Sequence, residues 1–270
     1  MDSLAHRPAW VGYVGSVWDY RHFWWSLVHI DLRNRYKRSV LGIGWSLLQP
    51  IAMTAVYCYC FHAIFNIELA EYVPFLMTGM AFWGLFSASA TEGCQAFYQA
   101  QGFIKAERIP LAVYPLRVAL GMTLHFAITL VVAVATAAVF KGFDRVLPLL
   151  TLVPTVTLLI VFSWSVATLM AFAAVHFPDV PHLATVGLQI LFYLTPVMYP
   201  PSIINSRGLG DVLRYNPLGY FMHLLRDPII NDAFPSVWEF AIAGGLTTCV
   251  AALALWIIKR CEKNLIFALI

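Results

Sequence analysis

Six apolar runs, at roughly 44–66, 73–98, 114–140, 146–175, 182–200 and 236–258, occupy more than half of the chain. Each approaches or exceeds the ~20 residues that a helix needs to cross a bilayer at about 1.5 Å per residue. In hydrocarbon every backbone N–H and C=O must be satisfied within the protein, so a spanning segment is a helix or part of a closed barrel. The runs lack the residue-by-residue alternation of barrel strands, which leaves helices. Composition agrees: 60% of residues are hydrophobic and 11% charged, against roughly 25% charged in ordinary soluble domains. The expected fold is an all-α integral membrane protein with a cytoplasmic N-terminal segment (1–43), a six-span domain (44–258) and a short cytoplasmic tail (259–270).

Charge orients this arrangement. Of the 17 Lys and Arg residues, an N-in, six-span arrangement leaves only Lys141, Arg145, Arg207, Arg214 and Arg226 outside, in accord with the positive-inside rule. The first 31 residues carry Asp2, Arg7, Asp19, Arg21 and Asp31 and no small-residue cleavage site after an apolar core, so the N-terminus is expected to stay in the cytoplasm. A net charge of +3 built from juxtamembrane Lys and Arg points to anionic lipid, not nucleic acid.

The cluster Arg33, Arg35, Lys37 and Arg38 precedes the first span directly. Ahead of it, Val14, Trp18, Trp25, Val28, Leu32 and Tyr36 fall on one stripe of a helical wheel, with Arg33, Lys37 and Arg38 projecting away. Such a helix lies in the membrane interface; a plain topogenic anchor is the simpler alternative. Arg21 falls on the apolar stripe and must snorkel or pair. Residues 200–235 are too polar to span and too apolar for a free loop, and Phe221, Leu224, Leu225 and Ile229 recur at near-helical spacing. They predict one or two short outside helices, broken by Pro217 and Pro228. On the cytoplasmic side, 101–115 predicts a short helix from Phe103 to Ile109 ended by Pro110, and 176–182 a tight turn. Pro148 and Pro154 predict a kink in the fourth span.

Catalytic signatures are absent: the sequence has no GxxxxGK[ST] phosphate loop, no HExxH, no CxxC and no GxSxG. The five cysteines are odd in number, and a metal or disulfide reading needs more ligands at fixed spacing; they read as small buried apolar residues. Glu92 is the ionisable residue singled out inside a span. It either faces a polar path, pairs with a cation on another helix, or reaches the cytoplasmic headgroups. Tyr57 and Tyr59 in the first span, and Phe192, Tyr193 and Tyr199 in the fifth, place aromatic rings where a tyrosine hydroxyl needs a partner or water. Aromatic faces suit the C–H faces of sugars; bonding across helices in a dry core is the alternative. Asp211, Asp227, Asp232, Arg214 and His223 gather outside, at a spacing that matches no stated acid–base mechanism.

Three stretches carry a family resemblance: RYKRSVLGIGWSLLQP (35–50), FPDVPHL (177–183) and NPLGYFMHLLRDPII (216–230). They resemble the permease subunits of ABC transporters that export polysaccharides such as O-antigen, capsule and teichoic acid, over residues 15–260. The resemblance implies a subunit of the bacterial inner membrane that is not itself an enzyme. Two copies would pair around a path for a lipid-linked polysaccharide. Two separate ATP-binding cassette subunits would hold the ATP and Mg. It implies a path lined by the first and fifth spans (Tyr57, Tyr59, Phe192, Tyr193, Tyr199), with Trp83 and Glu92. An ATPase interface would hold Arg33, Arg35, Lys37, Arg38, Lys105, Glu107, Arg108 and Asp179, and an outside gate Arg214, Asn216, Arg226 and Asp227. A drug or small-lipid exporter of the same class, and a membrane-embedded enzyme acting on lipid-linked sugars, are the alternatives.

Overall fold

The computed structural model describes residues 9–37, 39–65, 67–107, 109–200, 216–262 and 265. Arg38, Arg108, Asp211 and Arg214, and the 201–215 part of the outside segment, lie outside the described residues. Among the described residues there are ten α-helices, two 3-10 turns and no strand: α1 (Ala9–Asp19), α2 (Arg21–Tyr36), α3 (Trp45–Phe65), α4 (Leu69–Gln99), α5 (Gln101–Ala106), α6 (Val113–Phe140), α7 (Leu152–His176), α8 (Val180–Leu194), α9 (Leu218–Ile230) and α10 (Val237–Cys261).

Among the described residues four stretches are long and apolar enough to cross a membrane: Leu69–Gln99, Val113–Phe140, Leu147–His176 and Val237–Cys261. These correspond to the second, third, fourth and sixth expected spans. In the first position stands α3, of 21 residues. The fifth run is cut short, because α8 ends after 15 residues, about 22 Å of helix against a hydrocarbon core of about 30 Å. Thr195 precedes Pro196 and takes an extended conformation (φ −104°, ψ 135°); the proline ring disfavours helix at the residue before it.

The bundle is organised on α4. At 31 residues it is about 46 Å long; α6 and α7 pack along it, and α3, α8 and α9 also touch it. Small residues permit the closest contact. A Cβ added at Gly93 would fall 2.7 Å from the Ala167 Cα, so the α4 and α7 backbones meet there, the arrangement by which membrane helices gain packing without a solvent driving force. Within the core, Phe82, Phe86, Phe162 and Phe221 stack with centroids 4.6–6.2 Å apart.

Other expectations need adjusting. The single amphipathic helix is two, broken at Tyr20, and its stripe does not stay on one face. Val28 is fully buried where α2 packs on α6, whereas Trp18 and Trp25 are exposed. Arg21 lies over the Trp18 ring at 6.0 Å. Pro148 lies in a 3-10 turn, and Pro154 in the first turn of α7, where an N–H has no intrahelical partner to lose. The short helix after α4 is Gln101–Ala106. Pro228 does not break its segment: α9 continues to Ile230, with ten of its thirteen residues buried, and packing on several sides outweighs one missing N–H bond.

Candidate functional site

An aromatic strip runs across α3, α8 and α4. The Tyr57 ring stacks on Phe192 at 6.5 Å, Trp83 meets Phe192 edge-on at 5.4 Å, and Phe192 meets Tyr193 at 5.5 Å. The Tyr199 hydroxyl donates to the Tyr193 carbonyl at 2.7 Å. Helical geometry explains the grouping: Tyr57 and Tyr59 are about 200° apart on α3, so only Tyr57 turns toward α8. Tyr59 is 85% exposed and stands apart from the strip; Tyr193 is 61% exposed at its edge. Among the described residues neither hydroxyl has a hydrogen-bond partner.

The chain leaving α8 is held by side chains from several elements. Tyr72 of α4 donates to the Met198 carbonyl at 2.7 Å. Asn216 Nδ2 donates to the Leu194 carbonyl at 3.0 Å and the Thr195 hydroxyl at 2.9 Å. Arg226 of α9 is buried and points at the same turn. A helix end leaves carbonyls unpaired, and these groups supply donors to them.

At the opposite end of the bundle, α2, α4 and α6 line an open cavity of about 520 Å³, in which Asp31, Arg35, Glu92, Gln99, Arg117 and His125 stand among apolar side chains. Arg35 Nη2 donates to Glu92 Oε1 at 2.6 Å, so two residues expected in different places, the path and the ATPase interface, form one ion pair. Beside them Arg117 Nε lies 3.4 Å from Asp31 Oδ2, and its Nη2 donates to Gln99 Oε1 at 3.2 Å. Burial pushes the Asp31 carboxyl up, against the pull of Arg117 and Arg35. Tyr36, Ser46 and His125 close a hydrogen-bonded triangle, with Ser46 Oγ 2.7 Å from His125 Nδ1 and 2.6 Å from the Tyr36 hydroxyl. Asp31, Arg117 and His125 are not among the expected site residues, although Arg117 and His125 lie within the third apolar run and carry the same signal as Glu92. Arg33, Lys37, Lys105, Glu107 and Asp179 are exposed.

On the α9 side, His223, Asp227 and Glu239 bring three potential ligand atoms within 4.8 Å of one another. Capping accounts for much of this. Glu239 Oε2 accepts from the Ser236 N–H at 2.9 Å in the capping box of α10, Asp227 Oδ1 accepts from Asn231 Nδ2 at 3.0 Å, and Asp232 Oδ2 accepts from the Asp144 N–H at 3.2 Å. These carboxylates hold turns together.

A membrane bundle with an aromatic strip, a clamped half-length helix and a charged cavity at one end fits a conduit better than a reaction centre, and known proteins agree. Residues 22–230 match the ABC-2 type transporter family. The chain is 29% identical over 202 residues to the O-antigen export system permease protein RfbA of Klebsiella pneumoniae, covering 74% of this chain and 77% of that protein. It is 27% identical over 207 residues to RfbA of Myxococcus xanthus (76% and 79%). It is 22% identical over 205 residues to the polysialic acid transport protein KpsM of Escherichia coli (74% and 78%). With more than half its length matched, the chain belongs to the ABC-2 type transporter family.

Proposed function

We propose that this chain is the permease subunit of an ABC transporter that exports a lipid-linked or lipid-terminated polysaccharide across the bacterial cytoplasmic membrane. The relatives named for O-antigen export and polysialic acid transport support the substrate class. The observation that carries the reading is the aromatic strip. Tyr57, Phe192, Trp83 and Tyr193 offer ring faces to C–H bonds without a fixed hydroxyl pattern, as a polymer sliding past many sugars requires. Tyr59 and Tyr193 hold exposed hydroxyls that find no partner in their own chain, among the described residues, and hydrocarbon does not tolerate that.

In this reading two copies face each other through α3 and α8 around the path. All six runs belong to the membrane domain, α8 reaching only part-way across, and α1–α2 lie in the interface. The basic end, with both termini, is cytoplasmic by the positive-inside rule. Two ATP-binding cassette subunits, carrying the ATP and Mg, dock at Arg33, Lys37, Lys105, Glu107 and Asp179. The chain's role is conformational: nucleotide-driven movement of that end reaches α4 through the Arg35–Glu92 pair.

The test is export by a chain with Tyr57, Tyr193 and Tyr199 all changed to alanine. Surface polysaccharide is expected to fall at least about tenfold, as when stacking worth ~1 kcal/mol per ring is lost at three positions, while the ATPase subunit still co-purifies. Unchanged export would remove the strip from the path.

A further inference from the structure

We propose that Arg226 is a positioning residue that fixes the end of α8, and with it the stand of Tyr193 and Tyr199, by clamping the backbone at Pro196 and Val197. The inference builds on the proposed function only in assigning that end to the substrate path. Arg226 is 8% exposed, so its charge faces neither water nor a conduit. Its Nη1 donates to the Pro196 carbonyl at 2.8 Å, and its Nη2 to the Val197 carbonyl at 3.0 Å and the Phe75 carbonyl at 3.3 Å. The guanidinium carbon sits 3.6 Å from the centroid of the Phe75 ring. Among the described residues all its hydrogen-bond acceptors are backbone carbonyls, and no carboxylate lies within ion-pair distance.

That acceptor set states what the residue is for. A buried cation is costly unless its donors are met, and here both terminal nitrogens meet carbonyls, two from the chain just beyond α8 and one from α4, while Nε alone finds no partner among the described residues. The planar fork spans two successive carbonyls while its face stacks on an aromatic ring, which an ammonium cannot reproduce. The α4 backbone makes room for it: a Cβ at Gly79 would stand 2.7 Å from Arg226 Nη2 and 2.8 Å from the Val197 carbonyl oxygen. Gly79, Phe75 and Arg226 thus form one socket in which the end of α8 is seated. Tyr199, two residues beyond the clamp, turns back to bond Tyr193, so the outer edge of the aromatic strip stands where the clamp holds the backbone.

The experiment reads the position of that backbone directly. Met198→Cys is introduced into the chain, purified in detergent with whatever subunits accompany it, and its reaction with a maleimide is timed against the same chain lacking the substitution. Sidedness and substrate do not enter. Adding Arg226→Met is expected to accelerate labelling at least about tenfold, since hydrogen bonds from a charged group hold the turn closed. Arg226→Lys is expected to rescue little of this. Gly79→Ala, which keeps the charge but displaces the fork, is expected to accelerate labelling in the same direction, and it remains informative if Arg226→Met fails to fold. Labelling unchanged in Gly79→Ala, or full rescue by Arg226→Lys, would overturn the clamp. Export measured on the same variants tests the path separately: a loosened turn with normal export leaves the clamp standing and counts against the path.

Discussion

At the residue scale, the two ion pairs lining the charged cavity are unequal, and burial decides which matters. The side chains of Arg35 and Glu92 are 41% and 36% exposed, so water screens the pair, and such pairs contribute about 0–1 kcal/mol. Arg117 is 4% exposed and touches Asp31 and Gln99 together; removing it takes from a half-buried carboxylate the cation in contact with it, which costs roughly 2–3 kcal/mol. Arg117→Met is therefore expected to lower the thermal unfolding midpoint in detergent by more than Glu92→Gln does. Glu92→Gln is expected to act on coupling instead, lowering export per ATP hydrolysed with little loss of stability. The reverse order of midpoints would make Arg35–Glu92 the structural strut and remove its assignment as a coupling contact.

At the element scale, helix packing follows the small residues, and two glycines of α4 separate packing from propensity. Gly93 has Ala167 backbone atoms at 2.7–3.2 Å from where a Cβ would stand, whereas Gly84 has nothing within 4 Å. Gly93→Ala is expected to destabilise by about 1–3 kcal/mol, because two backbones must part. Gly84→Ala is expected to be neutral or to stabilise by up to ~1 kcal/mol through helix propensity. Equal unfolding midpoints for the two variants would contradict the close α4–α7 contact. This difference was not legible in the sequence, where both glycines sit in one apolar run. The helices themselves were legible, since length and hydropathy alone delimit α4, α6, α7 and α10. The early end of α8 was written in Thr195-Pro196, but the apolar residues on both sides masked it. The Arg35–Glu92 contact joins positions 57 apart in the chain, and no periodicity within one helix encodes a partner on another.

At the scale of the whole molecule, exposed charges from three parts of the chain stand at one end of the bundle. Arg33, Lys37, Lys105, Glu107 and Asp179 come from α2, the α4–α6 connection and the α7–α8 turn, and all are exposed. Among the described residues their charged groups make no hydrogen bond or ion pair within the chain. Phe23 and Phe103 meet edge-on at 5.7 Å, and the Tyr98 hydroxyl donates to the Ala174 carbonyl at 3.0 Å. A push on α2 or α5 is therefore felt by one packed unit with α4 and α7. Charges at a docking rim govern encounter more than final affinity. Replacing Arg33, Lys37 and Lys105 together by glutamine is expected to slow association with the ATPase subunit at least about tenfold at low salt. The difference is expected to shrink as ionic strength shortens the screening length to below about 10 Å. Because Lys and Arg flanking a span also bias its orientation, insertion is checked in parallel by protease access to the N-terminus. Correct insertion with unchanged association kinetics would move the docking surface away from this end, and the Arg35–Glu92 pair would lose its route to the ATPase.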